Sequence, residues 1–339
     1  MTQPSPSTDT VSVRTQRRRP VILSLLEQYA LVLIAIAIFV FFALLPASSR
    51  AFPTVNNINV ILGGLAVTAL VAIGALFPLV SGYMDFSLGA VAGMSQMLTA
   101  GFMVYNGLPL WLSILLAILL SALVGVVNGL LVTRFGMNPF VTTLGMGMLI
   151  TGLMIWYANG QTLVAGIDKG ILAFGSARLF GWLPVVFLVT LVVAAIAWYF
   201  FTHTPFGRSL YAVGSNASAA KLVGIPVTRN VWWSFIVAST IAGAAGVMLL
   251  ARVGTATATD GGSLLFQSLA AVFLGATAIR PGFFNVIGTL VGAFLVSESV
   301  SGLALAGAGG YASNVFNGVA LLLAVGLSTY LGRRRRGKQ

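Results

Sequence analysis

Apolar runs of about 20 residues recur along nearly the whole chain, separated by polar, glycine or proline breaks. They fall at 29–45, 58–80, 86–105, 109–133, 139–157, 182–201, 231–251, 264–279, 283–305 and 312–331. A run of that length crosses a ~30 Å hydrocarbon core as a helix, and in lipid a lone open strand would leave its backbone unpaired. The pattern therefore predicts an all-α, polytopic transmembrane helix bundle of about 10 spans. Two connections are too long for turns, 158–181 and 202–230. In the second, Ser215 or Asn216 can cap a short helix over 217–223, Gly224 stands where a left-handed C-terminal cap belongs, and Pro226 stops continuation. A short helix outside the membrane on such a loop is suited to docking a partner.

Polar residues inside apolar runs need a reason, because a charge at the bilayer centre costs ~2.5–3.5 kcal/mol even on insertion scales. Glu298 falls mid-way along the ninth run and shares a helical face with Leu295, Ser301 and Gly302. Asp85 stands at the break between the second and third runs, where Pro78 and Gly82 are expected to interrupt the helix and Asp85 to cap the next one. Gly89, Gly93, Gln96 and Ala100 continue its stripe, and small residues four apart permit close helix contact. Ser87 beside Asp85, Asn128 between Gly125 and Gly129, and Gln267 in the eighth run complete the set of candidate path residues.

Composition sharpens the membrane reading. Hydrophobic residues make up 58% of the 339 and charged ones 7%, against about a quarter in soluble domains. The net charge of +12 could suggest nucleic acid, but nine of the 18 Lys and Arg lie at the ends, in Arg14 to Arg19 and Arg333 to Lys338. Basic clusters flanking spans fit the positive-inside rule and anionic lipid headgroups, and argue against a nucleic-acid partner. With both termini cytoplasmic, Arg134, Arg208, Lys221, Arg229 and Arg280 also fall inside, leaving Arg50, Lys169, Arg178 and Arg252 outside. Residues 1–20 are expected to form a disordered basic cytoplasmic tail, 21–332 one membrane domain, and 333–339 a second basic tail.

Chemistry is scarce. The chain has no cysteine and one histidine, His203, in the cytoplasmic loop. No catalytic, metal or cofactor constellation is expected from such a stock. Gly332 to Gln339 mimics a phosphate-binding G-x-x-x-x-G-K, but the closing Ser/Thr is missing and four arginines fill the loop. ATP energy would have to come through a partner.

Several stretches resemble the permease subunit of the ribose-type (carbohydrate uptake) ABC importers. Met-Asp-Phe-Ser-Leu-Gly-Ala at 84–90 resembles the family's G-G-I-D-L-S-V-G-A segment. Residues 128–145, from Asn128 through Asn138-Pro139-Phe140 to Gly145, resemble its N-G-L-L-V segment ending in P-F-I-x-T-L-G. Thr-Pro-Phe-Gly-Arg-Ser-Leu-Tyr-Ala-Val-Gly-Ser-Asn at 204–216, with 219–225, resembles its cytoplasmic loop T-x-F-G-R-x-I-Y-A-I-G-G-N-x-x-A-A-x-x-x-G-I. Segments 268–275 and 287–293 extend the likeness. Tyr83 and Met84, the segment 276–285, and Glu298 depart from the family pattern.

The resemblance implies a permease in a bacterial inner membrane that works with an ABC ATPase subunit, an extracytoplasmic sugar-binding protein and a second permease subunit, identical or related. It implies that Gly207, Arg208, Gly214, Asn216, Ala220, Lys221 and Gly224 belong to the loop that contacts the ATPase. The competing reading is an ion-coupled secondary transporter with Asp85 and Glu298 as coupling carboxylates. It has no use for an ATPase-docking loop.

Overall fold

A computed structural model describes the backbone of residues 21–336 and the side chains of 28–326. The tail expected over 1–20, and residues 337–339 of the one expected over 333–339, lie outside the described residues.

Thirteen helices follow one another among the described residues: α1 (Val21–Leu44), α2 (Val55–Val80), α3 (Leu88–Val104), α4 (Leu110–Thr133), α5 (Pro139–Tyr157), α6 (Lys169–Ser176), α7 (Val185–His203), α8 (Pro205–Ser215), α9 (Ala217–Leu222), α10 (Val227–Val253), α11 (Gly261–Gly275), α12 (Val286–Leu305) and α13 (Tyr311–Arg336). A two-stranded antiparallel hairpin, β1 (Arg178–Leu179) and β2 (Leu183–Pro184), pairs Arg178 with Pro184 and Leu179 with Leu183. Among the described residues, α2, α4, α5, α7, α10 and α12 are long and apolar enough to cross a membrane. Shorter apolar stretches lie in α1, α3, α11 and α13.

Each of the ten apolar runs falls on a helix, and several helix starts are set by local caps. Thr54 accepts from the N–H of Asn57, Asn138 from Phe140 with Pro139 at the first helical position, and Asn285 from Gly288. Four boundaries differ from the sequence reading. Pro78 does not interrupt α2 at once but sits inside it, and the helix ends two residues later at Val80. The seventh run starts at Val227 and takes in Arg229, so the connecting loop is shorter than 202–230. The apolar stretch at 182–184 belongs to the hairpin rather than to α7. α11 spans 261–275, and residues 276–285 turn around Gly282 at φ 86°.

Packing is tightest around α2 and α10. Gly74 of α2 lies against the backbone of Ala238, and Gly125 and Gly129 of α4 lie against Phe235 and Trp232 of α10. Added Cβ atoms there would fall within 2.6–2.9 Å of their neighbours, so glycine is what lets these helices approach to backbone contact. Arg252 lies in the last turn of α10 rather than in an outer loop. Its guanidinium runs along Gly63 and Gly64 of α2.

Candidate functional site

The linker between α2 and α3 is the first polar centre. The Pro78 carbonyl accepts from the N–H groups of Ser81 and Tyr83 and from the Ser81 hydroxyl, and Gly82 takes φ 87° to turn the chain. Asp85, 3% exposed, does not cap α3 itself; that position belongs to Ser87, which makes no side-chain cap bond. Asp85 instead fixes Ser87. Its Oδ1 accepts from the Ser87 N–H at 2.9 Å and from the Ser87 hydroxyl at 2.6 Å. Asn128 of α4 donates to the same hydroxyl at 2.9 Å, and the Phe86 N–H donates to Thr143 Oγ1 of α5 at 2.9 Å. One short linker thus ties the start of α3 to α4 and α5. Asp85 Oδ2 and Asn128 Oδ1 stay buried without partners.

Gln96 belongs to a second centre. The stripe ahead of it packs on the start of α11: Gly89 and Gly93 both face Gly261, whose own Cβ would fall 2.0 Å from the Gly89 carbonyl. Beyond this glycine contact, Gln96 Nε2 donates to the Thr255 carbonyl at 2.8 Å and to Asp260 Oδ2 at 3.0 Å. Thr257 donates a short hydrogen bond to Asp260 Oδ1. Asp260 and Thr143 were not singled out from the sequence. The signal for Asp260 was the polar string Thr255 to Gly262, set between two apolar runs.

Alongside lies an open groove of about 480 Å³ between α3, α5 and α11, with Ala90, Gly147, Thr151, Gly152, Gly261 and Phe266 on its walls. That size is within the ~300–1,000 Å³ common for small-molecule sites. Gln267 and Glu298 stand apart from it. Gln267 accepts from Thr68 at 3.4 Å in the α2–α11 seam. Glu298 is wholly buried in α12 with neither oxygen hydrogen-bonded. Ser301, on the turn after Glu298, bonds Asn57 near the start of α2, whereas Asp85 lies beyond its end, so the two carboxylates do not converge on one site.

The loop expected over 202–230 holds two short helices. Thr204 caps α8 through the Gly207 N–H, and Asn216 caps α9 through the Ala219 N–H at 3.0 Å. Gly224 takes φ 83°, and the Ile225 N–H returns to the Ala220 carbonyl. Gly207 seats α8 on the Phe200 carbonyl, and Gly214 seats it on the Val80 carbonyl at the head of the Asp85 linker. The Tyr211 hydroxyl donates to the Phe284 carbonyl at 2.7 Å. Burial pushes that phenol above its ordinary value by more than Arg280 pulls it down, so it stays protonated and donates. Ala220 is buried, but Leu222 and Val223 are 89% and 76% exposed, and Arg208 and Lys221 also face outward.

Long apolar helices, a polar seam along α3 and a helical pair set on the bundle's end define an integral membrane protein of the transport type. Residues 57–325 match the family described as branched-chain amino acid transport system / permease component, and the chain belongs to that family. It is 32% identical over 291 residues to the ribose import permease protein RbsC of Bacillus subtilis (strain 168), covering 86% of this chain and 90% of that protein. Similarity to RbsC of Haemophilus influenzae is 30% over 303 residues, with 88% and 93% covered. To the D-allose transport system permease protein AlsC of Escherichia coli (strain K12) it is 29% over 301 residues, with 89% and 91% covered. No solved structure matches the chain.

Proposed function

We propose that the chain is the permease subunit of an ATP-driven ABC importer for a small, ribose-like sugar. The observation that carries this reading is the α8–α9 pair, which presents Leu222 and Val223 outward while Gly214 abuts Val80. An ATPase subunit docked on that apolar tip moves α8. The shift passes to the 80–87 linker, and through Ser87, Asn128 and Thr143 to α3, α4 and α5 at the groove. The names of the ribose and allose permeases support a sugar as cargo.

In this reading both termini and the α8–α9 pair are cytoplasmic, the ten apolar helices all span a bacterial inner membrane, and an external binding protein delivers the sugar. A second permease subunit, identical or related, closes the open side of the groove. The permease itself makes weak contacts, since a tight site within the path would slow release. Asp85, Ser87, Asn128 and Gln96 belong to the path. Gln267 and Glu298 lie off the groove and act, in this reading, in helix packing. Affinity purification of the tagged chain from its native membrane is expected to bring down an ATPase subunit. A preparation free of ATPase that still transports on an ion gradient would overturn the proposal in favour of a secondary carrier.

A further inference from the structure

The β1–β2 hairpin carries three large apolar side chains into the open. Phe180, in the turn between the strands, is 81% exposed, and Leu179 and Trp182 on either side of it are exposed as well. The base, by contrast, is fixed. The Val185 N–H donates to the Ala177 carbonyl at 3.0 Å, Pro184 is buried, and β2 packs on α2.

Where the hairpin sits follows from α7. Leu183–Pro184 runs straight into Val185, the first residue of α7, and α7 ends at His203 just before α8 begins at Pro205. The hairpin and α8 therefore lie at opposite ends of one helix. Its 19 residues measure ~28 Å at ~1.5 Å each, close to the ~30 Å of a hydrocarbon core. A span with so little length to spare puts Val185 at the membrane boundary. From there to the tip is about three strand residues, or ~10 Å, a reach comparable to the depth of the headgroup layer.

Other helix ends mark the same level. Gly170 of α6 faces Leu110, and its neighbour Trp111 in the first turn of α4 is exposed. Trp156, at the end of α5 that leads into α6, is exposed too. α12 starts beside α8, where Tyr211 bonds Phe284, so Tyr311 at the start of α13 lies at the hairpin's end, and it is also exposed. These aromatic residues lie on different sides of the bundle, since α4 packs on α3 and α10 whereas α13 packs on α11 and α12. Exposed aromatics spread round a bundle at one level form a membrane-interface belt, whereas a protein partner is met by one contiguous patch. Arg178, exposed in β1, supplies a cation for headgroup phosphates.

We propose that the β1–β2 hairpin is a membrane anchor, with Leu179, Phe180 and Trp182 set into the headgroup layer of the leaflet on the side away from α8–α9. The connector between α5 and the hairpin lies across the ends of α3 and α10. Gly166 faces Val104, Leu163 and Ala256 exchange backbone hydrogen bonds at 2.9 and 3.0 Å, and Ile167 and Ile171 are buried. Lipid at the hairpin thus holds the far end of the segment that fixes the end of α5.

The chain has no cysteine, so single thiol labels report one position each. Nitroxides on Leu179→Cys, on Phe180→Cys and, as the lipid reference, on Val192→Cys at the exposed face of α7 are compared in the full chain in nanodiscs of phosphatidylethanolamine and phosphatidylglycerol. The readout is the ratio of collisions with oxygen, which concentrates in lipid, to collisions with the water-soluble nickel complex NiEDDA. A free nitroxide in buffer gives the water value. Ratios at 179 and 180 are expected to lie severalfold above the water value and below that at 192. Phe180→Asp is expected to return the ratio at 179 to the water value while leaving that at 192 unchanged, which separates loss of the anchor from loss of the fold. Water-like ratios at both 179 and 180 would overturn the proposal, as would a ratio at 179 that Phe180→Asp does not lower. Labels shielded from both agents, or broadened by the label of a second copy, would also overturn it and make the hairpin a protein contact.

Discussion

Helices α10 and α5 are both long and apolar enough to cross a membrane, yet the most apolar stretch of α10 is 67% buried and that of α5 22%. Both carry glycines, used in opposite ways. A Cβ at Gly246 of α10 would fall 2.1 Å from the Ala92 carbonyl, while Gly145 and Gly152 of α5 have nothing within 4 Å. In α10 the missing side chain lets two backbones touch. In α5 it leaves open space, at Gly152 on the groove wall. α10 therefore belongs to a fixed frame with α2, α3 and α4. α5, tied to that frame through Thr143 and the Phe86 N–H, packs against it far more loosely. The lesson is that glycine count along a span does not separate tight from loose packing; what each glycine faces does.

Substitutions that exchange these roles test the contrast. Gly246→Val should have the largest effect. Its neighbour is backbone and cannot step aside, so the cost should reach or exceed the ~1–3 kcal/mol usual for overpacking. The outcome is loss of the monodisperse peak on size-exclusion chromatography in detergent. Asn128→Leu should come next. It removes the donor to Ser87 Oγ and should cost ~1–3 kcal/mol, the scale of a buried polar group left unpaired. It should lower the unfolding temperature while the protein remains monodisperse. Gly224→Val forces a β-branched residue into φ 83°, at ~1–2 kcal/mol of local strain. Because the strain falls on the α9 cap, ATP hydrolysis by the bound ATPase should continue while sugar uptake falls. Gly152→Ala should have the smallest effect, within ~0.5 kcal/mol in a thermal-unfolding assay, as for substitutions into open space. A large loss there would show that α5 is part of the frame.

Much of the frame was legible in the sequence. The apolar runs marked the helices, and Asn216, Gly224 and Pro226 marked the limits of α9, because caps act through neighbours a few residues away. The errors came where local signals compete. Leu183 and Pro184 read as the start of a span since a short apolar strand and a helix start look alike over a few residues. Pro78 read as a break, whereas α2 runs on for two residues past it. The partnership of Gln96 with Asp260 joins residues 164 apart in sequence, and no periodicity reports such a pairing. Asp85 was found as a polar residue in an apolar setting, but its service to Ser87 rather than to the α3 cap needed the backbone angles at Ser87.

The frame, the loosely packed α5 and the α8–α9 lever make one claim, that motion enters from an ATPase below and opens a sugar path. Uptake of a radiolabelled sugar into proteoliposomes holding the chain, its ATPase subunit and its binding protein tests it most directly. Uptake is expected to require ATP on the ATPase side and to be unchanged when proton and sodium gradients are collapsed. Uptake without ATP under an imposed ion gradient would contradict it.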